Sequence, residues 1–178
     1  MSAVLQPDGF RPGLPAEPVP IGRPSMLSLQ PAVARAFGVE DIADAGLLSG
    51  WASGEPGHAW NDGVDATLLV ATRHRPGPCD LVIEAEPYIT RQNPVQEITL
   101  YANGARVGFW RLSQRQVVRM AAWIDPQWWR ETHDRAALRL VFHMPQSVSP
   151  SEIGDGGDLR QLGFSFRNIV LLASRSEA

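Results

Sequence analysis

From Ala66 onward the apolar residues of this 178-residue chain fall at every second position, in runs of six to nine residues closed by turn formers. Successive side chains of an extended backbone point to opposite faces, so a period of two marks a strand with one buried and one wet face. The run Ala137–Met144 is the plainest, with Leu138, Leu140, Phe142 and Met144 on one face and Arg139 and His143 on the other. It reads as a central strand. Ala66–Thr72, Asp80–Pro87, Glu97–Ala102, Ala105–Leu112 and Gln116–Ile124 follow the same rule. In the last run Leu162, Phe164 and Phe166 share a face, but Ile169 and Leu171 fall on odd positions. One extra residue near Arg167-Asn168 has to restore the phase, so a bulge is expected there. Seven or eight strands at this spacing, with no long helix between them, predict an all-β fold, an antiparallel sandwich or barrel.

The punctuation agrees, since 15 prolines and 16 glycines leave little room for long helices. Asn103-Gly104, between two alternating runs, is a strong signal for a two-residue hairpin with positive φ at both positions. Asp125-Pro126 reads as the N-cap and first residue of a helical turn containing Trp128 and Trp129, and Ser149-Pro-Ser-Glu152 as a capping box stopped by Gly154. Residues 1–45 carry Pro7, Pro12, Pro15, Pro18, Pro20 and Pro24 without an apolar period, and are expected to form an extended arm outside a sandwich of residues 46–176. Within that arm Pro31–Gly38 permits a short helix and Glu40–Ala45 a short turn.

Charge and cysteine content remove several classes of function. A net charge of -3, with no Lys and all 16 cations Arg, argues against a nucleic-acid partner, which needs a clustered cationic footprint. The single Cys79 excludes an internal disulfide. The first residues lack the basic and apolar regions of a signal peptide, and no stretch reaches the roughly 20 apolar residues of a membrane span, so a cytoplasmic location is expected. No GxSxG elbow, phosphate-cradling glycine loop or nucleophile with its base is present, and an enzyme is not expected. His58, His74, His133 and His143 show neither HxH nor HExxH spacing, so neither a catalytic metal nor any other cofactor is expected. The acidic loop Asp155-Gly-Gly-Asp158 admits calcium but lacks a regular ligand ladder, and reads first as a turn.

Four blocks carry a family resemblance. Ser49-Gly-Trp-Ala-Ser-Gly-Glu-Pro-Gly-His-Ala-Trp-Asn-Asp-Gly63 resembles the "GWSxPExWGxWSDG" opening of a jelly-roll accessory domain of bacterial polysaccharide-assembly proteins. Val95-Gln-Glu-Ile-Thr-Leu-Tyr-Ala-Asn-Gly104 is similar to that domain's "QxVxVxVNG" hairpin, Phe142-His-Met-Pro145 to its "FxxP" strand end, and Ser149-Pro-Ser-Glu-Ile-Gly154 with Asp158-Leu-Arg-Gln-Leu-Gly163 to its "SPxELG…DxRxLGxxL" close. The domain sits at an end of membrane glycosyltransferases and of glucan phosphoglycerol transferases. The resemblance spans about residues 46–174 and implies an antiparallel, jelly-roll-like β-sandwich shaped like a carbohydrate-binding module. This chain departs from the pattern at Gly54 and at Gly57-His-Ala59, and is expected to be free-standing, with a partner protein supplying the chemistry.

Two groups of residues are candidates for binding. Trp51, His58, Trp60 and Asp62 fall close together, and sugar recognition combines an aromatic face for the pyranose with carboxylates or amides for its hydroxyls. Trp128 and Trp129 are the second group; adjacent residues of a helical turn diverge by ~100°, so they cannot both face one core. Glu55 and Arg160, from the two most recognisable blocks, are expected to form a structural buried pair. Two functions remain open: a non-catalytic, glycan-binding accessory of exopolysaccharide or surface-glycan synthesis, and a scaffolding subunit that docks a glycosyltransferase partner or a second copy of itself.

Overall fold

Twelve strands form among the described residues of the computed structural model, which are residues 14–18, 34–37, 42–52, 55, 57–73, 75–131 and 135–173. They are β1 (Leu14–Pro18), β2 (Ala34–Phe37), β3 (Ile42–Leu47), β4 (Ala59–Trp60), β5 (Asp65–Thr72), β6 (Cys79–Pro87), β7 (Gln96–Ala102), β8 (Ala105–Leu112), β9 (Val118–Ile124), β10 (Arg130–Glu131), β11 (Ala136–His143) and β12 (Phe164–Ala173). Two six-stranded sheets pack face to face. The first runs β1-β9-β6-β12-β2, with β4 joining β12; the second runs β3-β5-β11-β7-β8, with β10 joining β11. All pairings are antiparallel except β2 with β12, which is parallel.

Alternation decides which side chains meet between the sheets. Leu138, Leu140, Phe142 and Met144 are fully buried, as are Leu81, Ile83 and Ala85 from β6 and Ile98 and Leu100 from β7. Burial of each such large apolar side chain contributes about 1.5–3 kcal/mol. β11 is central, flanked by β5 and β7. The bulge expected in the last strand lies between Phe166 and Asn168, where the register against β6 shifts by one. That shift keeps Phe164, Phe166, Ile169 and Leu171 all in the core.

The turns follow their chemistry in two cases and depart from it in one. Asn103 and Gly104 have φ of 47° and 92°, the paired positive values of a type I′ hairpin. Asp125 caps the 3₁₀ turn Pro126–Trp128 by accepting from the Gln127 amide at 2.8 Å. The Ser149–Glu152 segment is a turn and not a capped helix. The Ser149 hydroxyl donates to the Asp158 carbonyl at 2.8 Å and pairs with Ser151 Oγ, so it tethers the following loop instead of capping an amide.

The N-terminal region is the main correction. Leu14–Pro18 lies in the span read as an arm outside the domain, yet it pairs with β9 as an edge strand. The expected helix at Pro31–Gly38 is a strand over Ala34–Phe37 on β12, and the expected turn at Glu40–Ala45 lies largely in strand Ile42–Leu47 on β5. The sandwich therefore draws strands from before residue 46, because tertiary pairing overrides the helical preference of an Ala-rich run. No helix of the described residues is long and apolar enough to cross a membrane.

Candidate functional site

One end of the sandwich gathers residues 48–52, 55, 57–64, 88–95 and 144–163, and its geometry begins at Gly50. This residue has a φ of 75°, and a Cβ there would run into the Asp65 carbonyl, so the chain can double back only through glycine. The returning segment pairs with itself: Ala52 N donates to Trp60 O at 2.9 Å, Asp62 N to Gly50 O at 2.9 Å, and Glu55 bridges His58 at the tip. Trp51 plugs the base, its indole N–H donating to Thr67 O at 2.7 Å and its ring edge-on to Phe142 and Phe166 at 5.9 and 5.1 Å. Asn61, fully buried, locks this loop to two others. Its amide nitrogen donates to Gly63 O, Ser147 Oγ and Gln161 O at 2.6, 3.0 and 3.1 Å, and its oxygen accepts from Gly163 N and Phe164 N at 2.9 and 2.7 Å.

On this frame stand the charged groups. Glu55 Oε1 accepts from Arg160 Nη1 at 3.0 Å, and Glu55 Oε2 lies 3.0 Å from His58 Nε2. Arg160 also grips the Asp158 carboxylate through Nε and Nη2, with Nη2 at 2.6 Å from Oδ2. These bonds hold the Asp158 carboxyl below its ordinary range and raise the guanidinium further above its own. The pair expected to be buried is half-exposed, with side-chain exposures of 39% for Glu55 and 31% for Arg160. Two hydrophilic turns meet here at the rim, and solvent reaches both groups.

Trp60 is half-buried, and the rings of His58 and Tyr88 stand nearly perpendicular to it with centroids 6.2 and 6.1 Å away. The Tyr88 hydroxyl donates to Asp155 Oδ2 at 2.6 Å; burial and this carboxylate push its pKa up to about 12. Trp60, Ser165 and Glu86 lie in register across β4, β12 and β6. The Glu86 carboxylate is held by Arg115 and Arg167 at 3.2 and 2.9 Å. Asp62 is exposed, and one of its oxygens accepts from the Gln161 amide at 3.0 Å.

The residues nominated from sequence thus divide. Glu55, His58, Trp60 and Arg160 form one group with Tyr88, Asp155 and Asp158, and Asp62 sits on the adjoining loop. Trp51 serves the core. Trp128 and Trp129 lie at the opposite end, a strand length of roughly 25 Å away. Trp129 is only 3% exposed and belongs to the core, so it is no platform for a ligand. Trp128 is half-buried, stacked edge-on to Trp123 at 5.9 Å, and its carbonyl accepts from Asn103 Nδ2 at 2.7 Å. Asp155 and Asp158 are engaged by Tyr88 and Arg160, and among the described residues no group of three or more His, Cys, Asp or Glu is placed to hold a metal ion. His74 and His133 lie outside the described residues.

Sequence reasoning missed Tyr88 and Asn61. Tyr88 follows Pro87 at a strand end and carries no pattern of its own, while Asn61 sits in Trp-Asn-Asp-Gly, where asparagine reads as an ordinary turn former. The chain matches no protein-family model, and no curated protein gives a significant match to it.

Proposed function

We propose that this chain is a non-catalytic, cytoplasmic accessory protein of bacterial exopolysaccharide or surface-glycan synthesis, holding a neutral glycan at the Trp60 end of the sandwich. The observation that carries this reading is Trp60 itself, a half-buried indole with the rings of His58 and Tyr88 nearly perpendicular to it and fixed polar groups nearby. An indole face accepts the apolar side of a pyranose, and carboxylates accept from its hydroxyls. The four carboxylates of Glu55, Glu86, Asp155 and Asp158 stand with the three guanidiniums of Arg115, Arg160 and Arg167, a net of -1 that suits a hydroxyl-rich, uncharged ligand better than an anion. Their mutual bonds fix the side chains before a ligand arrives, which lowers the ordering cost of binding.

The test is calorimetric titration with neutral glucan oligosaccharides. Saturable binding that is lost in Trp60→Leu, in a protein that still unfolds cooperatively, supports the reading; binding that survives the change removes it. A second reading, docking of a glycosyltransferase or of another copy, rests on the half-exposed Trp123–Trp128 pair at the far end, because interfaces are enriched in Trp. Association lost in Trp123→Ser with sugar binding intact would favour it.

A further inference from the structure

Among the described residues the two sheet paths end on β1, β2, β3 and β8. An end strand carries a row of backbone groups open to another strand, and proteins blunt it with proline, with shortness or with a bulge. Leu14–Pro18 holds two prolines, Ala34–Phe37 has four residues, and Ile42–Leu47 has six with a shift of register inside it. Ala105–Leu112 has eight residues and no proline. Its bulge, where Val107 is the extra residue opposite Leu100 and Tyr101, leaves Gly108–Leu112 regular. Trp110 is buried, and its ring fills the place where a Cβ on Gly108 would stand, so this stretch is fastened to the core.

The direction of the open backbone groups follows from β7. Glu97 donates its backbone N–H to Gln146 Oε1 at 3.0 Å and Asn103 its own to Arg139 O at 2.8 Å, so the odd-numbered residues of β7 turn toward β11. Opposite residues of an antiparallel pair turn their backbone groups toward or away from each other together. Phe109 and Arg111, opposite Thr99 and Glu97, therefore present N–H and C=O on the side of β8 away from β7. Their side chains share the outer face: Phe109 is 44% exposed, and Arg111 is exposed with Nη1 donating to Glu97 Oε1 at 3.1 Å.

We propose that a second copy of the chain pairs on this edge, β8 against β8 antiparallel about a two-fold axis at Trp110. Phe109 then lies opposite the partner's Arg111, and Arg111 opposite the partner's Phe109, exchanging backbone bonds and setting a guanidinium beside an aromatic ring twice. Only registers differing by two residues keep the open groups in phase. One such shift sets the two Arg111 opposite each other, and the other sets Arg111 against Val107, where the bulge breaks the ladder. The edge is thus complementary to itself in one register. Five paired residues make a contact below the roughly 1,200 Å² of a stable complex, so association is reversible and concentration-dependent. Leu112 pairs with Gln96, whose side chain donates to Tyr88 O at 2.9 Å, so β8 finishes at the Trp60 end. The two Trp60 ends then point apart and a dimer bridges two glycan chains, a consequence that rests on the glycan reading, whereas the dimer itself does not.

The experiment follows the full chain by sedimentation and by amide hydrogen exchange over a hundredfold range of concentration, for the wild type, Phe109→Pro, Phe109→Ser/Arg111→Gln, Trp60→Leu and Trp123→Ser. Proline at 109 removes an N–H aimed at the partner and none aimed at β7. The expected result is a reversible wild-type dimer in which the Phe109 and Arg111 amides exchange at least tenfold more slowly at high concentration than when dilute, while the Trp110 amide does not change. Phe109→Pro and the double variant weaken association tenfold or more; Trp60→Leu and Trp123→Ser associate as the wild type does. Both positions of the double variant face solvent, so it keeps its cooperative unfolding and carries the test if proline disturbs the fold. A monomer at every concentration would overturn the proposal, whether its Phe109 and Arg111 amides are protected by the chain itself or exchange freely. So would a dimer that the double variant leaves intact, or one lost through Trp123 alone. Loss of glucan binding in Trp60→Leu with the dimer intact bears only on the glycan reading.

Discussion

Replacing Asn61 by Ala should cost more than removing any ion pair at the same end of the molecule. The change deletes an acceptor shared by the Gly163 and Phe164 amides and a donor serving Gly63 O, Ser147 Oγ and Gln161 O, all around a fully buried side chain. Gly163 and Phe164 are themselves buried, so their two N–H groups lose their partner away from water. At about 1–3 kcal/mol for each unsatisfied donor, the loss is about 2–6 kcal/mol, a large part of the 5–15 kcal/mol that holds a typical domain together. With a urea slope of about 2 kcal/mol per molar, a loss near 4 kcal/mol lowers the unfolding midpoint by about 2 M and the melting temperature by roughly 8–16 °C. Tryptophan fluorescence during urea titration reads this directly. Asp62→Ala is the internal comparison, since it also removes a bond to a loop amide, that of Gln161, but at an exposed position; it should cost less than about 1 kcal/mol. Equal midpoints for the two variants would show that Asn61 is not the latch of this end.

Glu55→Ala should lower stability by no more than about 1 kcal/mol, because solvent screens a pair this exposed and Asp158 still holds Arg160; a loss of several kcal/mol in thermal unfolding would restore the buried-pair expectation. Gly50→Ala combines a φ of 75° with a Cβ driven into the Asp65 carbonyl, and should cost about 3 kcal/mol or more, read as lost soluble yield or a much lower melting temperature; near-wild-type stability would refute the tight turn. Tyr88 should titrate near pH 12, measured as the difference in phenolate absorbance between the wild type and Tyr88→Phe. Its folded pKa lies above the unfolded value near 10, so its contribution is complete below pH 10 and disappears as pH rises toward 12. A difference spectrum centred at pH 10 would show that the Asp155 bond is not formed.

The strands from β5 to β9, with β11 and β12, were legible because each has one face toward a single core, which writes itself into the sequence as alternation. Even the bulge at Arg167 is visible there as a slip of phase between Phe166 and Ile169. The first three strands were not legible. Leu14–Pro18 contains two prolines, and Ala34–Phe37 is held by parallel pairing to a strand more than a hundred residues away, which no local pattern encodes. At the site, the proximity of Glu55 to Arg160 follows from two recognisable turns, whereas its exposure does not, because a sequence states composition and not solvent access. Which of the six indoles fill the core is hidden for the same reason: Trp51, set against Phe142 and Phe166, and the buried Trp129 look like exposed indoles until their surroundings are placed.

The position of β12 has a consequence for how the protein is made. It is the last of the described strands to be synthesised, yet it lies inside the first sheet and joins β6 to both β2 and β4. About 80 residues separate the end of β6 from its start, roughly 4–16 s of translation at common rates. During that interval the nascent chain carries β6 with one edge unpaired, and β2 has no neighbour in its sheet. Such edges are templates for pairing with other chains. Expression yield should therefore depend on elongation rate and on chaperones that shield β6 until β12 leaves the ribosome.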